Sequence, residues 1–263
     1  MARRAEWGAN AKTVASIAYD SDIRYVAASL AYYAFISLMP VLLLVFIAFG
    51  RQLAGVVSAT GAQFLTPETQ RLLSESLTTA TGRTAATVLS VVVLAWSGAN
   101  VAVGFLTVVE RVEAVTERSL RRQVYDAVNV LGALFVAVLV ILVQSVFLAL
   151  YSTGMVSVVI GFILLFGALT VALVPLYRTP SRVANSVTDA FPGAVTTAVG
   201  WTVLHAAIQF YTANAGRYAI YGVVSGILLI LTSTYLAAII LMVGIVINAV
   251  WATDTDDLYD VSS

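Results

Sequence analysis

Two stripes of polar residues run through long apolar stretches of this chain. Thr197, Trp201, His205, Gln209 and Thr212 recur at steps of four, four, four and three, so a helix places all five on one face. His205 is the only histidine among 263 residues. An intramembrane imidazole can accept a proton or hold a solute; it can equally stay neutral, hydrogen-bonded to another helix or close to an interface. Ser29, Tyr33, Ser37 and Pro40 form a second stripe at steps of four, four and three. Asn100 and Asn248 add two strong hydrogen-bonding groups that need partners within a bundle. Tyr33, Ser37, Asn100, Trp201, His205, Gln209 and Asn248 are thus the candidate lining of a polar cavity. With no fixed charge among them, the expected passenger is a neutral or weakly held solute or ion, or a proton at His205. The competing reading is a dry seam in which the same groups bond to one another and only pack helices together.

Other chemistries are poorly served. There is no cysteine, which removes disulfides, thiolate catalysis and iron–sulfur ligation together. One histidine leaves a zinc site short of ligands, so no metal and no cofactor is expected. Formal net charge is zero, so no basic field would draw nucleic acid. No glycine-rich phosphate loop, nucleophile elbow or zinc-helix motif occurs, and the chain is not expected to be an enzyme.

The surrounding composition identifies the solvent. Hydrophobic residues make up 60% of the chain and charged ones 11%, against about 25% charged in soluble domains. Uncharged runs cover Tyr25–Gly50, Thr84–Val109, Ala127–Tyr177, Ala190–Gly216 and Tyr218–Thr253. A membrane core of roughly 30 Å takes about 20 apolar residues as a helix, so the first, second and fourth runs hold one span each. The third is over twice the core thickness and must fold back, with Ser152-Thr153-Gly154 as its turn signal. The last holds one long or tilted span. The expected fold is an all-α integral membrane protein, a six-transmembrane-helix bundle with spans at about 27–50, 85–107, 127–150, 155–177, 191–213 and 223–250. An N-terminal segment (1–24) precedes the membrane domain (25–252) and an acidic tail (253–263) follows it.

Connections supply orientation. With a cytoplasmic N-terminus, that side receives Arg3, Arg4, Lys12, Arg24, Arg111, Arg118, Arg121, Arg122, Arg178 and Arg182, and the other side Arg51, Arg71, Arg83 and Arg217. Ten against four places both termini in the cytoplasm. Arg3-Arg4 reads as a basic N-terminus, not a twin-arginine signal, because no apolar core follows before residue 25. Thr66 as N-cap, Pro67 and Glu68 in the first turn, and Leu72, Leu73, Leu77 and Ala80 on one side predict a short amphipathic helix between spans 1 and 2. The mixed charges of 110–126 read as a solvated helical extension. Pro40 should kink span 1, Gly222 and Gly226 read as a close-packing step in span 6, and Tyr25, Tyr125, Tyr177, Tyr211 and Tyr218 read as interface anchors.

Five segments carry a family likeness. "AASLAYYAFISLMP", "LAWSGANVAVGFLTVVERVEAV", "VPLYRTPS", "FPGAVTTAVGW" and "YGVVSGILLILTSTYLAAIILMVG", in this order from about residue 24 to residue 250, resemble the YihY/BrkB membrane protein family, often labelled "ribonuclease BN-like". The resemblance implies six transmembrane helices in the plasma (inner) membrane, surrounded by lipid, and no settled activity. Members commonly carry Gly-Ala-Glu-hydrophobic-Asn-Ala in the last helix. Here the stretch reads "GIVINA": Gly244, Asn248 and Ala249 fit, while Val246 stands in the glutamate's place. A nuclease would need clustered carboxylates and histidines around a metal, or a histidine acid–base pair, and neither is present in the sequence. The function classes that remain are a transporter or permease for a small solute or ion, and a non-transporting scaffold or lipid-interacting component.

Overall fold

The structure, a computed structural model, describes residues 16–17, 22–61, 80–114, 119–151, 154–183, 186–214 and 222–252. The elements among them are six helices: α1 (Ile23–Gly61), α2 (Ala80–Val112), α3 (Leu120–Tyr151), α4 (Met155–Arg178), α5 (Val187–Ala213) and α6 (Gly222–Ala252). The described residues contain no strand. Each helix holds a stretch long and apolar enough to cross a membrane. Hydrocarbon offers backbone groups no partner, so the chain must satisfy them within each segment, and helices do this. The fold is therefore an all-α, six-span membrane bundle.

Helix ends follow local chemistry. α3 and α4 separate at the expected turn, where Gly154 has extended backbone and the Ser157 hydroxyl donates to its carbonyl at 2.7 Å. α5 opens on a capping box: the Asp189 N–H donates to Ser186 Oγ at 3.1 Å and the Ser186 N–H to Asp189 Oδ2 at 2.9 Å. α1 runs further than the expected span. Its apolar crossing stretch is Ile23–Val45, but the helix continues to Gly61, roughly 58 Å at about 1.5 Å per residue. Pro40 sits buried within it without ending it. The expected amphipathic helix over 66–79, most of the N-terminal segment, Tyr218 and the acidic tail lie outside the described residues.

The helices close into a ring. α1 packs beside α2 and α6, α3 beside α2 and α4, and α5 beside α4 and α6, while α2 also touches α6 across the middle. Consecutive helices alternate in direction, so one end carries Ile23, Val112, Leu120, Arg178, Val187 and Ala252; this end is termed the base. The apolar core lies near it. Ile23, Ala27 and Leu30 of α1, Ala102–Val109 of α2, Leu165–Tyr177 of α4, Ala190–Trp201 of α5 and Ala238–Val250 of α6 supply most of its members. Phe105 fills the centre, its ring centroid 6.3 Å from that of Tyr177 on α4. No described residue of α5 beyond His205, or of α6 before Ala238, is buried. Burial thins toward the far end along α5 and α6, while Ser90, Gln144, Leu148 and Gly161 stay buried in the far halves of α2, α3 and α4.

Candidate functional site

The buried polar groups that bridge helices gather in a seam of α4, α5 and α6 just inside the base. Tyr177 Oη donates to the Leu241 carbonyl at 2.8 Å and lies 2.5 Å from Thr197 Oγ1. A phenol has one hydrogen to give. With that hydrogen on Leu241, the Thr197 hydroxyl is the donor to Tyr177, and one chain of bonds ties three helices. A turn further out, the Trp201 indole N–H donates to the Ala237 carbonyl at 3.0 Å, which fixes the ring plane. A turn nearer the base, Asn248 Oδ1 accepts the Gly193 N–H at 2.6 Å and Nδ2 donates to the Ala190 carbonyl at 3.3 Å.

Two glycines permit this approach. A Cβ on Gly244 would overlap Tyr177 Oη and lie 2.5 Å from Thr197 Oγ1, and a Cβ on Gly193 would overlap the Gly244 carbonyl oxygen. The close crossing of α5 and α6 is thus made by Gly193 and Gly244. Of the expected packing step, Gly226 is exposed and a Cβ there meets nothing within 4 Å. The surroundings of Gly222 are outside the described residues. Among the described residues, α6 contributes no buried side chain before Ala238.

Above the seam the α5 stripe continues with graded exposure: Thr197 0%, Trp201 9% and His205 9%, then Gln209 half-buried and Thr212 exposed. The His205 and Gln209 side chains meet at 3.2 Å between Nε2 atoms, and the Phe162 ring of α4 lies 6.1 Å from the imidazole. The pair stands at the limit of burial along α5, where His205 is the last buried residue among those described.

The remaining candidates do not join it. Ser37 Oγ donates to the Ala34 carbonyl at 2.7 Å and Asn100 Nδ2 to the Trp96 carbonyl at 2.7 Å, each within its own helix. Tyr33 meets Trp96 edge-on, ring centroids 5.3 Å apart, and Tyr32 at 5.4 Å. Among the described residues no hydrogen bond links Tyr33, Ser37 or Asn100 to Trp201, His205, Gln209 or Asn248. Asn100 meets its need for a partner within its own helix, through that local bond. The α1 stripe is corrected at Ser29, which is exposed and whose hydroxyl donates to the Val26 carbonyl at 2.7 Å. A hydroxyl bonded to its own backbone does not need a protein neighbour. In its first turns the buried side of α1 is Ile23, Ala27, Leu30 and Ala31, while further along Tyr33 and Ser37 are partly buried and Pro40 is buried. Ser37 also leaves the Ile36 carbonyl, the one Pro40 would deprive, to other means.

Several polar groups were not marked by sequence reasoning. Tyr177 was expected at an interface and is buried in the seam. Its position in "VPLYRTPS" gave no hint, since a tyrosine at a helix end is as often an anchor. Glu113, within the stretch read as solvated, accepts from the Ser181 hydroxyl and from the Arg182 N–H, the latter at 2.7 Å. Asp126, at the end of that stretch, is 1% exposed, with Arg122 Nε 3.7 Å away. Gln144 on α3 is buried against Gly161 of α4. The described residues hold no group of three His, Cys, Asp or Glu side chains placed to share a metal ion.

A family profile described as "Virulence factor BrkB" matches residues 16–260 of the chain. No curated protein and no solved structure matches it.

Proposed function

Because this chain belongs to the BrkB family of membrane proteins, and on the geometry above, we propose that it is a non-enzymatic permease for a small neutral or weakly held solute or ion. In this reading it sits in the inner membrane with its base and both termini in the cytoplasm. The observation that carries the proposal is the graded exposure of one helix face, from Thr197 through Trp201 and His205 to Gln209 and Thr212. A face that only packs helices would be buried along its length or capped by apolar residues. This one stays polar as its exposure grows, and its inner end meets the bonded chain of Tyr177, Thr197 and Leu241. The absence of ionised groups on the stripe favours passengers that need not shed a tightly bound hydration shell.

A second reading, a non-transporting scaffold in contact with lipid, draws support from Ser37, Asn100, Trp201 and Asn248, whose hydrogen bonds all go to backbone groups inside the protein. Flux separates the two. Purified protein in lipid vesicles is assayed with a panel of neutral solutes and of ions, each against protein-free vesicles. The permease predicts flux of at least one class, reduced several-fold in His205→Leu and Gln209→Leu. Flux indistinguishable from protein-free vesicles across the panel leaves the scaffold.

A further inference from the structure

α5 lacks one backbone donor where it crosses α6. Pro192 lies in its second turn and has no N–H to give to the Thr188 carbonyl. The next residue, Gly193, gives its N–H to Asn248 of α6, and the same carboxamide reaches back to the Ala190 carbonyl. One buried side chain, 4% exposed, thus bonds to both kinds of backbone group across one turn of another helix. A helix that lacks one internal bond beside a glycine is a place where the backbone can bend. Here an external side chain supplies bonding at that place. Everything about the contact is uncharged, so the bonds can be exchanged for water without exposing an ion.

We propose that Asn248 is a latch that holds the first turns of α5, Val187–Pro192, against α6, and that α5 pivots at Pro192–Gly193 when the latch opens. The pivot stands on the geometry alone; its meaning as the base-side gate rests on the permease reading. Release frees the segment on the base side of the Tyr177–Thr197–Leu241 chain, which is the packed end of the ring. Ala194, fully buried one residue past the pivot, becomes reachable from the base when the segment swings out. Leu169 of α4, equally buried, does not move with it.

The chain has no cysteine, so single cysteines report cleanly. Ala194→Cys and, separately, Leu169→Cys are placed in the full-length protein in lipid vesicles and treated with a membrane-impermeant thiol reagent on the base side. The expected result is labelling of Ala194→Cys at least tenfold faster when Asn248→Leu is added, with Leu169→Cys unchanged. Equal rates with and without Asn248→Leu, or the same acceleration at Leu169→Cys, overturn the latch; the latter marks general loosening. Pro192→Ala restores the missing donor and leaves Asn248 in place, so it keeps the test open if Asn248→Leu does not fold. It is expected to slow labelling of Ala194→Cys several-fold below the parent, and no slowing overturns the pivot. Labelling is read without any solute, so the two ideas fail separately. Accelerated labelling in a protein with no flux keeps the latch and removes the permease, whereas flux with unchanged labelling does the reverse.

Discussion

A hydroxyl or carboxamide in a membrane helix has two ways to avoid an unmet hydrogen bond, and this chain uses both. Ser29, Ser37, Thr107, Asn100, Asn129 and Ser145 bond to carbonyls three or four residues back in their own helices. Such groups can face lipid or protein at little cost. Tyr177, Thr197, Trp201 and Asn248 bond across helices instead, which ties their geometry to the packing. The glycines beneath them are correspondingly intolerant. Gly244→Ala is expected to lower stability by about 1–3 kcal/mol, the usual penalty of overpacking, because the new methyl meets Tyr177 and Thr197. Gly226→Ala meets nothing and should be neutral or stabilising by up to about 1 kcal/mol through helix propensity. Thermal melts of both variants in one detergent check the contrast. Equal melting temperatures would contradict the crossing described here.

Glu113 organises the base at the level of whole helices. α2 ends at Val112, and Ala114 takes a left-handed conformation with φ of 51°, which turns the chain and leaves Glu113 beside the α4–α5 connection. Its carboxylate takes the Ser181 hydroxyl and the Arg182 N–H, bonds of the charge-assisted kind. The end of α2 therefore fixes how α4 hands over to α5, on which the seam depends. Glu113→Ala should free this connection, and trypsin added to protein in detergent should cut after Arg182 several-fold faster than in the parent. Unchanged cleavage there would mean that the segment is held by other contacts.

Across the molecule the charges have a polarity: among the described residues, Arg24, Arg111, Arg121, Arg122, Arg178 and Arg182 stand at the base and Arg83 at the far end. Single cysteines at Ser119 and Ser76 test the orientation with an impermeant thiol reagent on intact cells. Ser76 is expected to react and Ser119 to stay protected until the cells are opened; the reverse pattern inverts the protein and puts the base outside. Val246 belongs to the same polarity. It is fully buried in the base-side core, where a glutamate would have to be neutral or paired, and here apolar packing takes its place.

Some of this was legible in the residues alone. Six spans follow from run lengths, since hydrocarbon thickness and helix rise leave no other arrangement for stretches such as Ala127–Tyr177. The α5 stripe follows from its spacing, and the packed neighbourhood of His205 and Trp201 agrees with it. The capping box at Ser186 and Asp189 was equally readable and went unmarked. Which polar groups meet was decided only by tertiary structure. Ser37 and Asn248 look alike as isolated polar residues in apolar helices, yet one bonds within its own turn and the other grips a neighbouring backbone. The difference lies in how closely two helices approach, and that is set by the facing pair Gly193 and Gly244, fifty-one positions apart in sequence. Periodicity locates a face along one helix, but which face of another helix lies against it is a property of the packed ring.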